Sequence, residues 1–134
     1  MIHVICGMMG AGKSTYARKH YKHVIEFEDC GTKARQIRKA RALHEKGKLV
    51  AYITCYPTRM EREFFNGLPD TEVRWLMIDT DLERCRKNII KRGRKSDADV
   101  LETRFKKNHK LLSQIVRTDI PFEHVKIFAT EERW

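Results

Sequence analysis

Nowhere does this chain run to the roughly 18 consecutive apolar residues that a bilayer-spanning helix needs, so no membrane role is expected of it. Met1 leads directly into an apolar run, Ile2 to Cys6, so no secretory signal segment is expected. The four cysteines, Cys6, Cys30, Cys55 and Cys85, show no C-x-x-C spacing. That absence excludes the usual zinc patterns and a disulfide framework, and it points to reduced thiols in a cytoplasm. Internal repeats and low-complexity linkers are also lacking. With 134 residues, the chain is expected to form one domain, too short for a second domain beside it.

Acidic residues are scarce where basic ones concentrate. The chain holds 28 Lys+Arg against 18 Asp+Glu, a formal charge of +10, which suggests an anionic partner such as nucleic acid or nucleotide phosphates. No acid falls between Thr32 and His44, a stretch that carries Lys33, Arg35, Arg38, Lys39 and Arg41. None falls between Arg84 and Lys95 either, where Arg84, Arg86, Lys87, Lys91, Arg92, Arg94 and Lys95 would repel one another without an anion among them.

The most specific feature present is Gly7-Met8-Met9-Gly10-Ala11-Gly12-Lys13-Ser14, which spells G-x-x-x-x-G-K-S after a strand-like run and before a helix-like one. Glycines let the backbone wrap closely enough for successive N–H groups to cradle phosphate oxygens at the positive end of the following helix. Met9, Gly10, Ala11, Gly12, Lys13, Ser14 and Thr15 are therefore expected to hold a nucleoside triphosphate, with Lys13 on the β and γ phosphates and the Ser14 hydroxyl on Mg²⁺.

Periodicity predicts strands at Ile2 to Cys6, His23 to Phe27, Leu49 to Thr54, Val73 to Ile78 and Val125 to Ala129. Helices are expected at Lys13 to Tyr21, Thr32 to Lys46 closed by Gly47, Thr58 to Asn66, Asp81 to Lys91 and Asp97 to Ile115. The alternation argues for an α/β three-layer sandwich with a parallel five-stranded sheet. Ligands of such sheets lie beyond the carboxyl ends of the strands, which sets Gly7 to Ser14, Glu28-Asp29, Thr54-Cys55 and Asp79 along one rim.

Phosphoryl transfer needs a base for the acceptor hydroxyl and positive charge around the migrating group. Asp29, expected just past the second strand, is the leading base, with Glu28 as its competitor. Arg86 and Arg92 are expected to stabilise the transferred phosphoryl group, within a basic lid at about 92–98 hinged at Gly93. Arg35 and Arg38 would meet a phosphate-bearing acceptor. One expected group is missing: many phosphate-loop proteins place an aspartate at the end of a neighbouring strand, and here Cys55 stands there, a poor ligand for a hard cation. Thr54 with water, Asp29 or Asp79 could take that role.

Taken together, these motifs resemble the small P-loop kinases, and most closely the kinase domain of phage-type polynucleotide 5′-hydroxyl kinases. The resemblance runs from Ile2 to about Asn108. It rests on the Gly7 to Thr15 loop, the acid after the second strand, Ile53-Thr54 followed by Glu61-Arg62, and Arg86, Arg92-Gly93-Arg94-Lys95 and Val100-Leu101. It implies a sheet in adenylate-kinase-like order, an arginine-bearing lid, ATP with Mg²⁺ as donor, and an aspartate that deprotonates the acceptor. Carried over, these roles fall on Lys13, Ser14, Asp29, Arg86 and Arg92. Cys55 and Gly31-Thr32 depart from the family pattern. A nucleoside or nucleoside monophosphate acceptor is the alternative within the same chemistry, and a non-catalytic ATP-dependent nucleic-acid-binding module the alternative outside it.

Overall fold

The computed structural model describes residues 1–92, 101–115 and 120–126. Five parallel strands form one sheet in the order β2-β3-β1-β4-β5. They are β1 (Ile2–Gly7), β2 (His23–Ile25), β3 (Val50–Thr54), β4 (Val73–Asp79) and β5 (Phe122–Lys126). Every residue of β1 and β3 is buried, as expected of central strands covered on both faces. Pairing aligns Ile2 with Val50 and Val73, and Gly7 with Ile78, so the turn after β1 emerges level with the end of β4.

The helices are α1 (Lys13–His20), α2 (Phe27–Cys30), α3 (Lys33–Glu45), α4 (Arg59–Asn66), α5 (Leu82–Arg92) and α6 (Leu101–Ile115), with a 3-10 turn at Asp70–Glu72. The two faces of the sheet take different helices because side chains alternate along each strand. On one face, Ile37 and Ala40 of α3 and Phe65 of α4 pack with Val4, Cys6, Tyr52, Trp75 and Met77. On the other, Ala17 of α1, Cys85 and Ile89 of α5 and Phe105 of α6 pack with Ile5, Ile53, Leu76 and Ile78. Edge-to-face rings link the first face laterally, Tyr52 to Phe65 at 5.0 Å, Phe65 to Trp75 at 5.5 Å and Trp75 to Phe122 at 5.9 Å. Among the described residues, no helix is long and apolar enough to cross a membrane.

Two strand boundaries differ from the sequence expectation. The second strand ends at Ile25, and Phe27 to Cys30 turn into α2, so Glu28 and Asp29 lie on a helical turn instead of a strand end. The fifth strand begins at Phe122, three residues before the expected Val125. Its pairing Trp75 with Phe122 and Asp79 with Lys126 sets the register, while the exposed Glu123, His124 and Lys126 disguise an edge strand as a polar segment. The expected strand residues 127–129, helix residues 97–100 and lid residues 93–98 lie outside the described residues.

Candidate active site

The turn between β1 and α1 is built on glycines because two other elements press on it. Gly10 adopts φ +78°, and a Cβ there would lie 2.4 Å from the Cys85 carbonyl oxygen and 2.9 Å from Ile89 Cγ1. Side chains from distant elements then hold the loop's backbone. Thr80 Oγ1 donates to the Ala11 carbonyl at 2.8 Å, Asn88 Nδ2 to the Gly10 carbonyl at 2.8 Å, and Met9 N–H to Asn108 Oδ1 at 2.7 Å. The Met9 donor, expected to meet phosphate, is thus engaged by α6. Gly10→Ala should lower stability by about 1–3 kcal/mol, measured by urea unfolding, because the opposing atom is main chain and cannot rotate away.

At the start of α1, Gly12 (φ 96°) supplies no side-chain cap, and the first turn contains no acid. Its leading N–H groups therefore face the loop without an internal acceptor, the arrangement that receives an anion. Lys13 is buried, its ammonium donating to the carbonyls of Gly7 at 3.0 Å and Met8 at 2.7 Å. An ammonium has three donors, so one N–H remains for a phosphate oxygen.

Beside it sits a carboxylate that sequence reasoning missed. Glu26 is the first residue past β2; its Oε1 accepts from the Ser14 hydroxyl, and its Oε2 accepts from Arg18 Nη2 at 2.6 Å. It is 7% exposed. A strand read through Phe27 makes Glu26 an interior residue and sets Glu28-Asp29 just past its end. In the structure Asp29 is exposed on α2, while Glu26 holds the rim position next to the phosphate loop. Asp79 faces elsewhere, paired with His124 Nδ1 at 2.9 Å.

The carboxyl end of β3 carries a second polar cluster. Glu61 is fully buried and closes a capping box on Thr58, with Thr58 N–H at 2.9 Å. Lys33, at the start of α3, donates to Glu61 Oε2 at 3.2 Å and Thr54 Oγ1 at 3.1 Å. Gln36 Nε2, one turn on, bridges the carbonyls of Ile25 at 3.2 Å and Ile53 at 2.7 Å, which pins α3 across the ends of β2 and β3. Lys33→Met should cost about 3–5 kcal/mol of unfolding free energy by stranding a buried carboxylate, and adding Glu61→Gln should recover most of that loss.

The remaining expected residues are dispersed. Arg86 is exposed and stacks 4.8 Å over Phe105 of α6, while α5 turns Cys85, Asn88 and Ile89 toward the loop. The main chain of Arg92 ends α5. Arg35 and Arg38 point outward from α3. Cys55 is partly exposed, and its carbonyl accepts from Gly7 N–H at 3.3 Å. Burial pushes the Cys85 thiol up to about 11 and the Cys6 thiol higher still, so both stay neutral packing groups. A cavity of about 580 Å³ lined by Arg62, Phe65, Asp70, Trp75 and Ile120 opens at the amino ends of β4 and β5, the opposite end of the sheet from this chemistry.

No protein-family model and no curated protein sequence matches this chain. Solved structures do resemble it. A sugar kinase from Janibacter sp. HTCC2649 superposes with a TM-score of 0.63 at 16% identity, covering 98% of this chain and 88% of its own. Deoxyadenosine kinase from M. mycoides with bound dATP gives 0.59 at 16% identity, with 94% and 91% covered. A gluconokinase from Sinorhizobium meliloti 1021 gives 0.52 at 14%, with 93% and 81% covered. With its five-stranded parallel sheet, flanking helices and glycine loop, this chain shares the α/β fold of these solved kinases.

Proposed function

We propose that this protein is an ATP-dependent kinase that transfers the γ-phosphoryl group to a hydroxyl of a nucleic acid, in the manner of a polynucleotide 5′-hydroxyl kinase. The observation that carries the kinase reading is the meeting of Ser14 and Glu26 beside the uncapped first turn of α1. Phosphate-binding N–H groups, a buried ammonium, a hydroxyl and a carboxylate converge there, and little else is required for phosphoryl transfer.

In this reading the amides of Gly10 to Thr15 and Lys13 hold the polyphosphate. Glu26, aimed by Arg18, takes the proton of the acceptor hydroxyl as its oxygen bonds to the γ phosphorus and the bond to the leaving ADP oxygen breaks. The Ser14 hydroxyl is a hard oxygen donor at the start of α1, which suits Mg²⁺, an ion that keeps several waters and phosphate oxygens in its shell. When bound, Mg²⁺ would neutralise phosphate charge there, with Ser14 holding it. Arg92 and the basic stretch after it would close over the phosphates as a lid, and Asp29, exposed on α2, would take part in acceptor binding alongside Arg35 and Arg38.

Support for a nucleic acid acceptor comes from charge: the chain carries a formal +10, and among the described residues no carboxylate pairs with Arg35, Arg38 or Lys39 on the outer face of α3. A nucleoside or nucleoside monophosphate acceptor is the second reading, favoured by the likeness to deoxyadenosine kinase, although the single long helix between β2 and β3 leaves little for a separate monophosphate-binding lobe. Labelled ATP offered with 5′-hydroxyl oligonucleotides, nucleosides and monophosphates separates them. Label on the oligonucleotide, with affinity falling steeply as salt rises, supports the first reading. Transfer to none, with ATP binding retained, would leave a non-catalytic module in its place.

A further inference from the structure

We propose that Phe27 is a stacking shelf for the acceptor, so that the site selects hydroxyl-bearing molecules that carry a nucleobase. This inference rests on the kinase reading of the same site and names the acceptor class within it.

Phe27 directly follows Glu26 and opens α2. It is 43% exposed, whereas Phe65 and Trp75 are buried in the core. Its ring is not loose on the surface: the Lys33 ammonium lies 5.5 Å from the ring centroid. That ammonium is itself held by Thr54 and Glu61 at the end of β3. The ring is therefore set on the rim between the ends of β2 and β3, one residue from the carboxylate that meets Ser14. A cation against an aromatic ring is attracted by its π face, which orients the ring and keeps it from collapsing onto the sheet.

A fixed, half-open aromatic ring one residue from the proposed base suits a planar acceptor. Sugars and small acids offer no π face, whereas every nucleobase does, and stacking tolerates any base. The shared chemistry is a nucleobase near a free hydroxyl, supplied either by a nucleoside or by the 5′ end of an oligonucleotide.

The test is calorimetry on the full chain with a non-hydrolysable ATP analogue and Mg²⁺, titrating a nucleoside, a 5′-hydroxyl oligonucleotide, and the matching sugar and abasic oligonucleotide. Wild type, Phe27→Leu and Phe27→Trp are compared. Phe27→Leu should weaken the base-bearing ligands about ten- to a hundredfold, Phe27→Trp should keep them within a few fold, and abasic ligands should not distinguish the three. The arm that binds more tightly identifies nucleoside or oligonucleotide as the source. Equal binding of base-bearing ligands to wild type and Phe27→Leu, a parallel loss for abasic ligands, or no binding of any of them to wild type would overturn the shelf. Phe27-dependent binding without phosphoryl transfer would instead overturn the kinase reading and leave the shelf in place.

Discussion

Replacing Glu26 with glutamine should reduce phosphoryl transfer by about 10²–10⁴-fold, the contribution of a positioned proton acceptor, while Asp29→Asn should change it by only a few fold. The contrast follows from geometry. Glu26 is buried beside Ser14 and held by Arg18, so its carboxylate is fixed in place. Asp29 is exposed on α2. Glutamine keeps the shape and can still meet Arg18 or Ser14 through its carbonyl oxygen, so stability should change little and the loss should fall on kcat. Raising Mg²⁺ should not restore the rate, because an ion cannot replace a lost proton acceptor. Restoration by Mg²⁺ would move Glu26 from proton acceptance to metal holding, and a greater loss in Asp29→Asn would return the base to α2.

Replacing Lys13 with methionine should lower turnover by about 10²–10³-fold, as expected when a buried donor aimed at developing negative charge is removed. Methionine retains much of the apolar stem and removes only the charged head. The ammonium now bridges the Gly7 and Met8 carbonyls, so its loss also leaves two loop carbonyls without that partner. A modest drop in melting temperature should accompany the loss of activity. The two effects separate in a binding experiment: nucleotide affinity should fall even at temperatures where the variant is fully folded. Unchanged turnover in Lys13→Met would remove the phosphate-cradling role from the loop.

Much of the architecture can be read from local pattern. The glycine spacing from Gly7 to Gly12 announces the loop because Gly10 and Gly12 take the positive φ that glycine tolerates, and the apolar runs of β1 and β3 announce burial on both faces. The site was harder to read where a boundary decided it. His23-Val24-Ile25-Glu26-Phe27 looks like one alternating strand, yet the chain leaves the sheet after Ile25, which sets Glu26 beside Ser14 and Asp29 on the exposed side of α2. Thr58 and Glu61 carry a legible capping pattern, but the tie from Glu61 to Lys33 depends on how α3 and α4 meet. The grip of Thr80, Asn88 and Asn108 on the loop had no local signal at all, since their partners lie 69 to 99 residues away in sequence. The polar residues Glu123 and His124 hid the start of β5 for the same reason: its register comes from Trp75 and its neighbours, not from its own composition.

The central claim is that the loop from Gly7 to Thr15 receives the phosphates of ATP. Calorimetric titration of the full chain with ATP and Mg²⁺ addresses it most directly. One ATP per chain should bind to the wild type with measurable heat, and Lys13→Met should bind it much more weakly at equal fold stability. Absence of heat from the folded wild type, or equal affinity in Lys13→Met, would contradict the assignment of this loop as the nucleotide site.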